Sequence, residues 1–423
     1  MASGIEPKKF FASLFEAAVA AADPEKTIRD FLPEKPKGRT IVIGTGKGAA
    51  QMAQAFENAW DGSFEGAVVT RYGYGAPTRR IKVYEAAHPV PDKAGLEGAR
   101  VLMELVSGLS EDDLVVALIC GGGSALLPAP AGNLTLEDEI AVNEALLASG
   151  APISAMNTVR KHVSAIKGGR LAAAAHPARV VSLVVSDIPG DDPALVSSGP
   201  TVPSAATRAE ALQIVETFRL DLPEAVMRHL NSDAADAPLP GDTCFAGNDV
   251  QIIASAARSL EAAAAAAQRH GVTPVILSDA IEGEAREVAG VHAAIAREVA
   301  QRDRPFRKPV IILSGGETTV TIKAKGGRGG RNGEFLLALA IGIDGVTGID
   351  GFAADTDGID GSEDNAGAFA DHTTATRLRA AGHDPKALLA AHDSWGAFDA
   401  LGDLFVPGPT GTNVNDLRAV LVR

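Results

Sequence analysis

Residues Ser314–Ala340 read SGGETTVTIKAKGGRGGRNGEFLLALA and contain seven glycines, two acidic residues and two arginines. The apolar run Val310–Leu313 before this stretch and the β-branched series Thr318–Ile322 inside it predict two adjacent strands. A helix is predicted over Glu334–Ile343. The stretch therefore predicts a passage from strand to helix, which is typical of the α/β fold class.

The glycine-rich loop of this stretch has the features of an anion-binding site. Gly326, Gly327, Gly329 and Gly330 free the backbone to turn its amides toward a ligand, and Arg331 lies where the helix begins. Phosphate is the expected ligand. A plain hairpin loop is the alternative for the glycines taken alone.

The chain length predicts two domains, because 423 residues are too many for one ordinary core. Proline, alanine and aspartate are concentrated in the segment Asp221–Asp242, which predicts a boundary there. We expect a first domain over residues 1–237 and a second over 238–423.

Charge and composition narrow the class of partner. The formal charge of −14 and the pI near 5.1 argue against nucleic acid and anionic membranes, so a small soluble substrate is expected. Cys120 and Cys244 lack metal-ligand spacing, which indicates reduced thiols. Without a signal-peptide segment or an apolar run of about 18 residues, the sequence predicts a cytoplasmic protein. It does not indicate an oligomeric state.

A second glycine turn follows the predicted strand Thr40–Ile43. Gly44 and Gly46, with Ala49, fit the dinucleotide fingerprint, but Arg71 stands after the next strand where that fingerprint requires an acid. Arg71 would at best suit a 2′-phosphate. Lys47 indicates another use, because an ammonium beside a helix N-terminus is well placed for a transferring phosphoryl group. An exposed turn lysine is the alternative.

The apolar run Leu114–Cys120 predicts a central parallel strand, and it ends in three glycines and a serine. Ligands bind at such carboxyl ends in open α/β sheets. We expect the backbone amides and hydroxyl of this segment to bind phosphate oxygens. A serine-hydrolase elbow is excluded because Leu126 stands where its last glycine is required. The predicted phosphate-binding residues are Gly121, Gly122, Gly123 and Ser124.

Cations and acids complete the candidate residues. Asn157, Arg160 and Lys161 begin a cluster of cations that suits a carboxylate or phosphate of the substrate, with a solvated helix face as the alternative.

Carboxylates that follow strands suit a hydrated Mg²⁺, although the same residues could simply form acidic turns. The predicted metal ligands are Asp187, Asp191 and Asp357. His88 precedes a proline, and a structural role is favoured for it.

A further βαβ unit is predicted in the second half of the chain. Its strands are Thr243–Ala246 and Thr273–Leu277, and its helix runs from Asp249 to His270. The sequence does not assign this unit to either domain.

The motifs together resemble the glycerate 2-kinase family, two-domain kinases that end in the MOFRL domain and were earlier labelled hydroxypyruvate reductases. The resemblance covers almost the whole chain in family order. The motifs that carry it are GTGKGAAQMA, HPVPD, CGGGSALL, MNTVRKHVSAIKGGRLA, SDIPGDDPALVSSGPT, GGETTV, GGRGGRNGEFLLALA, DTDGIDG and GPTGTNVNDL.

The resemblance implies ATP-dependent phosphorylation of D-glycerate to 2-phosphoglycerate with Mg²⁺, in a cleft between two domains. It implies a Rossmann-like, doubly wound first domain and a mixed α/β second domain with a MOFRL-like region over residues 305–415. Lys47 and Arg331 carry over as the catalytic cations, and both alanine variants are expected to fold. Glu317 and Asn332 are assigned to nucleotide or phosphate binding. An NADPH-dependent hydroxypyruvate reductase is the alternative, and a nucleotide-binding regulator without turnover is a third class.

Overall fold

The computed structural model describes residues 5–322 and 327–423, so Gly326 of the predicted loop lies outside the described residues. The chain forms two compact units. Residues Pro24–Ile253 form the N-terminal unit, and Ala254–Arg423 together with residues 1–23 form the C-terminal unit. Helix α1 (Pro7–Ala20) thus belongs to the C-terminal unit although it comes first in the sequence.

The N-terminal unit alternates strands with helices. Its elements are α2 (Pro24–Asp30), β1 (Thr40–Thr45), α3 (Ala49–Ala59), β2 (Glu65–Arg71), β3 (Ile81–Ala86), α4 (Lys93–Val106), β4 (Leu114–Cys120), α5 (Gly123–Leu126), α6 (Leu136–Ala148), α7 (Ile153–His162), α8 (Arg170–Ala175), β5 (Arg179–Ser186), α9 (Arg208–Thr217), α10 (Glu224–Leu230) and β6 (Asp249–Ser255), whose end crosses the division. Short 3₁₀ turns cover Pro189–Asp191, Val196–Ser198, Asp233–Ala235 and Thr243–Phe245.

The six strands of this unit lie in the order β3-β2-β1-β4-β5-β6, and the pairs from β3 to β5 are parallel. This is the strand order of the Rossmann fold, in which the chain reverses direction across the sheet between β1 and β4. Both strands are completely buried, as continuous apolar runs in a parallel sheet are expected to be. The carboxyl ends of β1 and β4 therefore meet at the position where such folds bind ligands.

Two apolar clusters of described residues stabilise parts of the N-terminal unit. One packs α4 and α8 against the sheet and includes Leu102, Leu171 and Val115. The second lies among α6, α7, α9 and α10. Sequence signals fix several helix starts, since Asp92 accepts a hydrogen bond from the Gly95 amide and Thr135 forms a capping box with Asp138.

The C-terminal unit is also α/β but its main sheet is mixed. After α1 its elements are α11 (Ala256–Arg269), β7 (Thr273–Ser278), β8 (Gly283–Glu284), α12 (Ala285–Arg302), β9 (Val310–Ser314), β10 (Thr318–Thr319), α13 (Arg331–Gly342), β11 (Ile349–Asp355), β12 (Gly367–Asp371), α14 (Thr374–Ala380), α15 (Pro385–Ala390), α16 (Ser394–Asp399), β13 (Leu404–Phe405) and β14 (Asp416–Val422).

The main sheet has the order β13-β12-β11-β14-β9-β7, and only its β7–β9 pair is parallel. Alternate residues of one strand reach opposite faces. Val310 and Ile312 pack with α12 and α13, whereas Ile311 and Leu313 pack with α1 and α11. Helix α1 therefore covers one face of the second sheet, with the Phe11 ring stacked on Phe352 at 5.6 Å.

These observations confirm the predicted fold class and correct several details. The two compact units divide after Ile253, whereas the sequence predicts a boundary near 237, and the sequence gives no signal that α1 packs on the later unit. The predicted strand Thr243–Ala246 is a 3₁₀ turn. The predicted βαβ unit is wrong, because β6 occupies the start of the expected helix and belongs to a different sheet from β7.

The predicted strand Thr318–Ile322 is shorter than expected. Only Thr318–Thr319 forms a strand, and it pairs with β8 rather than with β9. Within the described ranges, no helix is long and apolar enough to cross a membrane.

Candidate active site

The glycines of the first turn serve close packing between β1 and β4. A Cβ on Gly44 would lie 2.6 Å from the Leu118 carbonyl oxygen, and one on Gly46 would lie 2.3 Å from that of Cys120. Gly46 also has a φ of +127°, which favours glycine. The structure thus gives Gly44 and Gly46 a packing role that needs no ligand.

Lys47 leaves the same turn. Its amide donates to the Gly121 carbonyl at 2.8 Å, and its own carbonyl accepts from the Thr70 hydroxyl at 3.0 Å. These bonds fix the backbone, and the side chain extends over Gly122, with Cε 3.3 Å from the point a Cβ there would occupy. Across the described residues, the Lys47 ammonium has no hydrogen bond or ion pair, so it is available to an anion.

The Gly121–Ser124 segment turns into the short helix α5, and part of it is already hydrogen-bonded within the protein. The Gly123 amide donates to the Ser197 hydroxyl at 2.9 Å, and Ser197 donates in turn to the Cys120 carbonyl. The Ser124 hydroxyl bonds Ser198 at 2.7 Å. The predicted cradle therefore has two of its donor groups satisfied by the protein itself.

Asn157 and Arg160 continue this network. Ser198 donates to the Asn157 amide oxygen at 2.9 Å, and the Arg160 guanidinium donates to the same oxygen at 3.4 Å and to Asn143 at 2.8 Å. The structure thereby connects Ser124 to Arg160 by consecutive contacts. In the part of the chain that the structure describes, Arg160 has no carboxylate partner.

Lys161 is directed elsewhere. Its ammonium is buried and donates to the carbonyl and hydroxyl of Ser204, at 3.1 and 2.7 Å. Burial, with a contribution from Arg170, lowers the pKa of Lys161 to about 8. A structural role accounts for these contacts, and they do not bring Lys161 to Ser124.

The two acids after β5 differ in position. A Cβ on Gly121 would lie 1.6 Å from an Asp187 carboxylate oxygen, so that carboxylate packs directly against Gly121 beside the turn that carries Lys47. Asp191 lies in the following 3₁₀ turn with a φ of +53°. Asp357 belongs to the C-terminal unit, where its carboxylate accepts from the Ile359 amide at 2.8 Å. Among the described residues, no three His, Cys, Asp or Glu side chains are arranged to hold a metal ion.

Arg331, at the start of α13, is surrounded by carboxylates. Its Nε donates to both oxygens of Asp416 at 2.9 and 3.1 Å, Nη1 to Glu317 at 2.9 Å, and Nη2 to Asp355 at 2.6 Å. Burial lowers the pKa of Arg331, but the three carboxylates raise it more, so the net shift is upward. The guanidinium is thus permanently charged and fixed in direction.

The N-terminus of α13 is occupied by an acid of the protein. The Asp360 carboxylate accepts from the amides of Asn332 at 3.0 Å and Gly333 at 2.8 Å. Burial raises the pKa of Asp360 to about 6 although these amides lower it. The predicted phosphate cradle at this helix is therefore filled by Asp360. Asn332 also donates to Asp416 at 2.8 Å, which gives it a structural contact.

Asp416, Asp355 and Arg418 are site residues that the sequence prediction missed. Arg418 is fully buried and donates to Asp416 at 2.6 Å and to the carbonyls of Gly315 and Gly316. Burial and then Asp416 raise the pKa of Asp355 well above its ordinary value. A signal was present, because an arginine inside the apolar strand Asp416–Val422 needs a buried acid as its partner.

A pocket of about 480 Å³ adjoins Arg331 within the C-terminal unit. Its lining includes Val320, Ile322, Gly329 and Gly330 as well as Arg331. The volume is in the range of small-molecule sites. The glycine-rich loop thus borders a concave surface, as an anion- or nucleotide-binding loop is expected to do.

Comparison with known proteins adds independent findings. A family model described as "Domain of unknown function (DUF4147)" matches residues 10–231, and the MOFRL family model matches residues 310–416. A D-glycerate 2-kinase of Thermotoga maritima is 39% identical over 98% of each chain. A protein of Agrobacterium vitis, provisionally named a hydroxypyruvate reductase, is 51% identical and covers 99% of this chain and 95% of its own.

A solved structure agrees with these sequence matches. The crystal structure of a glycerate kinase from Thermotoga maritima superimposes with a TM-score of 0.90 at 37% identity, covering 98% of this chain and 99% of that one. The two family models match residues 10–231 and 310–416, and the relatives and the solved structure cover nearly the whole chain. The chain therefore belongs to the glycerate 2-kinase family that ends in the MOFRL domain.

Proposed function

We propose that the protein is an ATP-dependent glycerate 2-kinase that phosphorylates D-glycerate to 2-phosphoglycerate. The observation that carries this proposal is the match to a D-glycerate 2-kinase over 98% of both chains. The available ammonium of Lys47 and the fixed guanidinium of Arg331 support it, because phosphoryl transfer depends on positioning and charge neutralisation.

Lys47 and Arg331 are proposed to stabilise the charge of the transferring phosphoryl group. An arginine has five N–H donors, and the three carboxylates engage Nε, Nη1 and Nη2 of Arg331. One N–H on each Nη nitrogen remains, so the Arg331 guanidinium keeps donors that can bind phosphoryl oxygens. Lys47 supplies a point charge and Arg331 a planar fork, which are different and complementary donors.

Mg²⁺ is proposed to accompany ATP. Mg²⁺ usually needs only one or two protein carboxylates when phosphates supply its other ligands. Asp187 suits this role because its carboxylate lies against Gly121, beside the turn that carries Lys47. Asp191 and Asp357 are the other candidates. A bound Mg²⁺ would neutralise phosphate charge.

The test is glycerate-dependent release of ADP from ATP, with and without Mg²⁺, followed by phosphorus NMR of the product. We expect 2-phosphoglycerate, and a 3-phosphoglycerate signal would show that the other hydroxyl is used. Absence of ADP release with D-glycerate and Mg²⁺ would reject the kinase proposal.

A second candidate is favoured by two relatives from Agrobacterium vitis, each provisionally named a hydroxypyruvate reductase. A reductase would need a dinucleotide site after β1. The residues available for that site are Gly44, Gly46 and Arg71. The same enzyme preparation tests the reductase candidate. A reductase would oxidise NADPH when hydroxypyruvate is added, and the absorbance of NADPH would fall. We expect no such loss.

A further inference from the structure

Three nitrogen-bearing side chains lie at the carboxyl edge of β1, β2 and β3. Lys47 follows β1, Arg71 ends β2, and His88 follows β3. Among the residues that the structure describes, none of these three side chains makes a hydrogen bond or ion pair. In a protein with a formal charge of −14, unpaired cations on one edge require an explanation.

Two of these side chains converge on one point. The Nε2 atom of His88 and Cε of Lys47 both lie 3.3 Å from the position that a Cβ on Gly122 would take. Gly122 has a φ of +87°, so the backbone there favours a residue without a side chain. The space above Gly122 is therefore bordered by the end of the Lys47 side chain and by the His88 imidazole.

Arg71 is adjacent to this space through the sheet register. It pairs with Ala86, two residues before His88, and the Tyr72 amide donates to the Ala86 carbonyl at 3.1 Å. The Arg71 guanidinium lies 5.2 Å from the centre of the Tyr74 ring, a cation–π distance that orients it without using its N–H donors.

The charge around His88 is positive. Burial and then the charges of Lys47 and Arg71 lower the pKa of His88 to about 4, so its imidazole is neutral at physiological pH. Of the nearby acids, Asp92 binds the Tyr72 hydroxyl and the Gly95 amide, and Glu85 binds the Gly75 amide. The Asp187 carboxylate packs against the neighbouring Gly121, so it borders the space from the side of β4 and β5. From the side of β1, β2 and β3, an incoming anion meets two cations and one neutral donor.

We propose that Arg71 and His88 form, together with Lys47, an oxyanion-binding site above Gly122 that holds a carboxylate or a phosphate group of the reactants. Charge-assisted hydrogen bonds to such groups are the strong class, and a guanidinium matches a planar carboxylate or phosphate with two parallel bonds. This assignment rests on the proposed kinase function for its kinetic test but not for its binding test.

The binding test measures the affinity of inorganic phosphate by calorimetry in the full-length protein, without ATP or glycerate. Arg71→Met and His88→Leu should each weaken it about 10- to 100-fold, the range for loss of a hydrogen bond to a charged group. His88→Gln keeps a neutral donor and should weaken it less than His88→Leu.

Arg80→Met is the matched control. Arg80 lies over the Phe64 ring at 5.4 Å, as Arg71 lies over Tyr74, but it stands at the opposite end of β2 and β3. Arg80→Met should leave the affinity for phosphate unchanged. If Arg80→Met weakens binding as much as Arg71→Met, or if neither Arg71→Met nor His88→Leu weakens it, the site is rejected.

The kinetic test identifies the source of the oxyanion. A selective rise in KM for glycerate in Arg71→Met and His88→Leu assigns the site to the substrate carboxylate, and a selective rise in KM for ATP assigns it to a nucleotide phosphate. Unchanged KM values for both reactants would overturn the proposal. If the wild-type protein releases no ADP, the kinase function fails, and the phosphate titration still decides whether this site exists.

Discussion

Both oxygens of the Asp416 carboxylate bind Nε of Arg331, at 2.9 and 3.1 Å. One of these oxygens also accepts from the buried Arg418 guanidinium at 2.6 Å. Arg331 is thus part of a buried charge network and not a solvated side chain. The sequence alone predicts that Arg331→Ala folds normally, but the variant would leave Asp416 and Asp355 with fewer counter-charges.

We predict that Arg331→Ala loses stability as well as turnover. Breaking a buried ion pair from one side costs about 3 to 5 kcal/mol. For a unit of this size, that corresponds to a fall in Tm of roughly 6 °C or more. Calorimetry of the variant checks this, with Arg423→Met as control because Arg423 pairs with Asp350 at the far end of β14 and β11. Unchanged melting of Arg331→Ala would show that the network does not stabilise the fold.

Lys47→Ala should lose turnover without losing stability. Its ammonium has no hydrogen-bonding or ion-pair partner in the described part of the chain, so Tm should stay within about 2 °C of wild type, as for a surface substitution. Turnover should fall about 10²- to 10³-fold, the loss typical of one well-placed donor to a developing charge. Glycerate-dependent ADP release and melting, measured on the same sample, check both parts. Near-normal turnover would remove Lys47 from the mechanism.

The raised pKa of Asp360 predicts a pH dependence of stability. A carboxyl whose pKa is about 6 when folded and near 4 when unfolded binds more protons in the folded state between these values. Its stabilising contribution is complete below about pH 4 and is lost as the pH rises to about 6, by at most about 3 kcal/mol. The stability of wild type relative to Asp360→Asn should therefore fall over this range, as measured by denaturant unfolding.

Asp371→Asn provides a control of opposite sign for that experiment. Burial raises the pKa of Asp371, but hydrogen bonds from Thr373 and the charge of Arg377 lower it more, so the net shift is downward. Its contribution is lost as the pH falls through the lowered pKa. Wild type should lose stability relative to Asp371→Asn on acidification, and identical trends for both variants would contradict the assignment to Asp360.

Lys167 and Glu139 form a buried ion pair in the N-terminal unit. The Lys167 ammonium binds Glu139, both side chains are almost completely buried, and Glu139 also accepts from the Ala129 amide. Lys167→Met should cost about 3 to 5 kcal/mol by leaving a buried carboxylate unpaired. Adding Glu139→Gln should recover part of that loss, since the amide removes the charge. Failure of the double variant to recover stability in thermal unfolding would argue against an ionic pair.

Limited proteolysis should cut within residues 239–242, which are all exposed and lie in an irregular segment between α10 and β6. The two fragments should nevertheless remain together on size-exclusion chromatography. Helix α1 would be on the first fragment, but it packs inside the C-terminal unit through Phe11 and Phe352. Separation of the fragments without denaturant would contradict that packing, and cleavage inside Val180–Val185 would contradict the predicted linker.

The sequence by itself determined the elements whose signals are local. Apolar runs specified β1, β4 and β5, and Asp92 and Thr135 marked helix starts, because an apolar run and a capping side chain are both recognised from neighbouring residues. The glycine turns with Lys47 and Arg331 were visible for the same reason. Together with the motif order, these features were sufficient to predict the α/β class and the family.

Only the tertiary structure decided what each charged group binds. Lys161 is anchored at Ser204, Asp360 fills the N-terminus of α13, and Asp416 with Arg418 fixes Arg331. These partners lie up to 85 residues apart, so spacing along the chain does not reveal them. The sequence also does not reveal that α1 packs on the second sheet. An amphipathic pattern predicts that a helix covers an apolar surface, but it does not identify that surface.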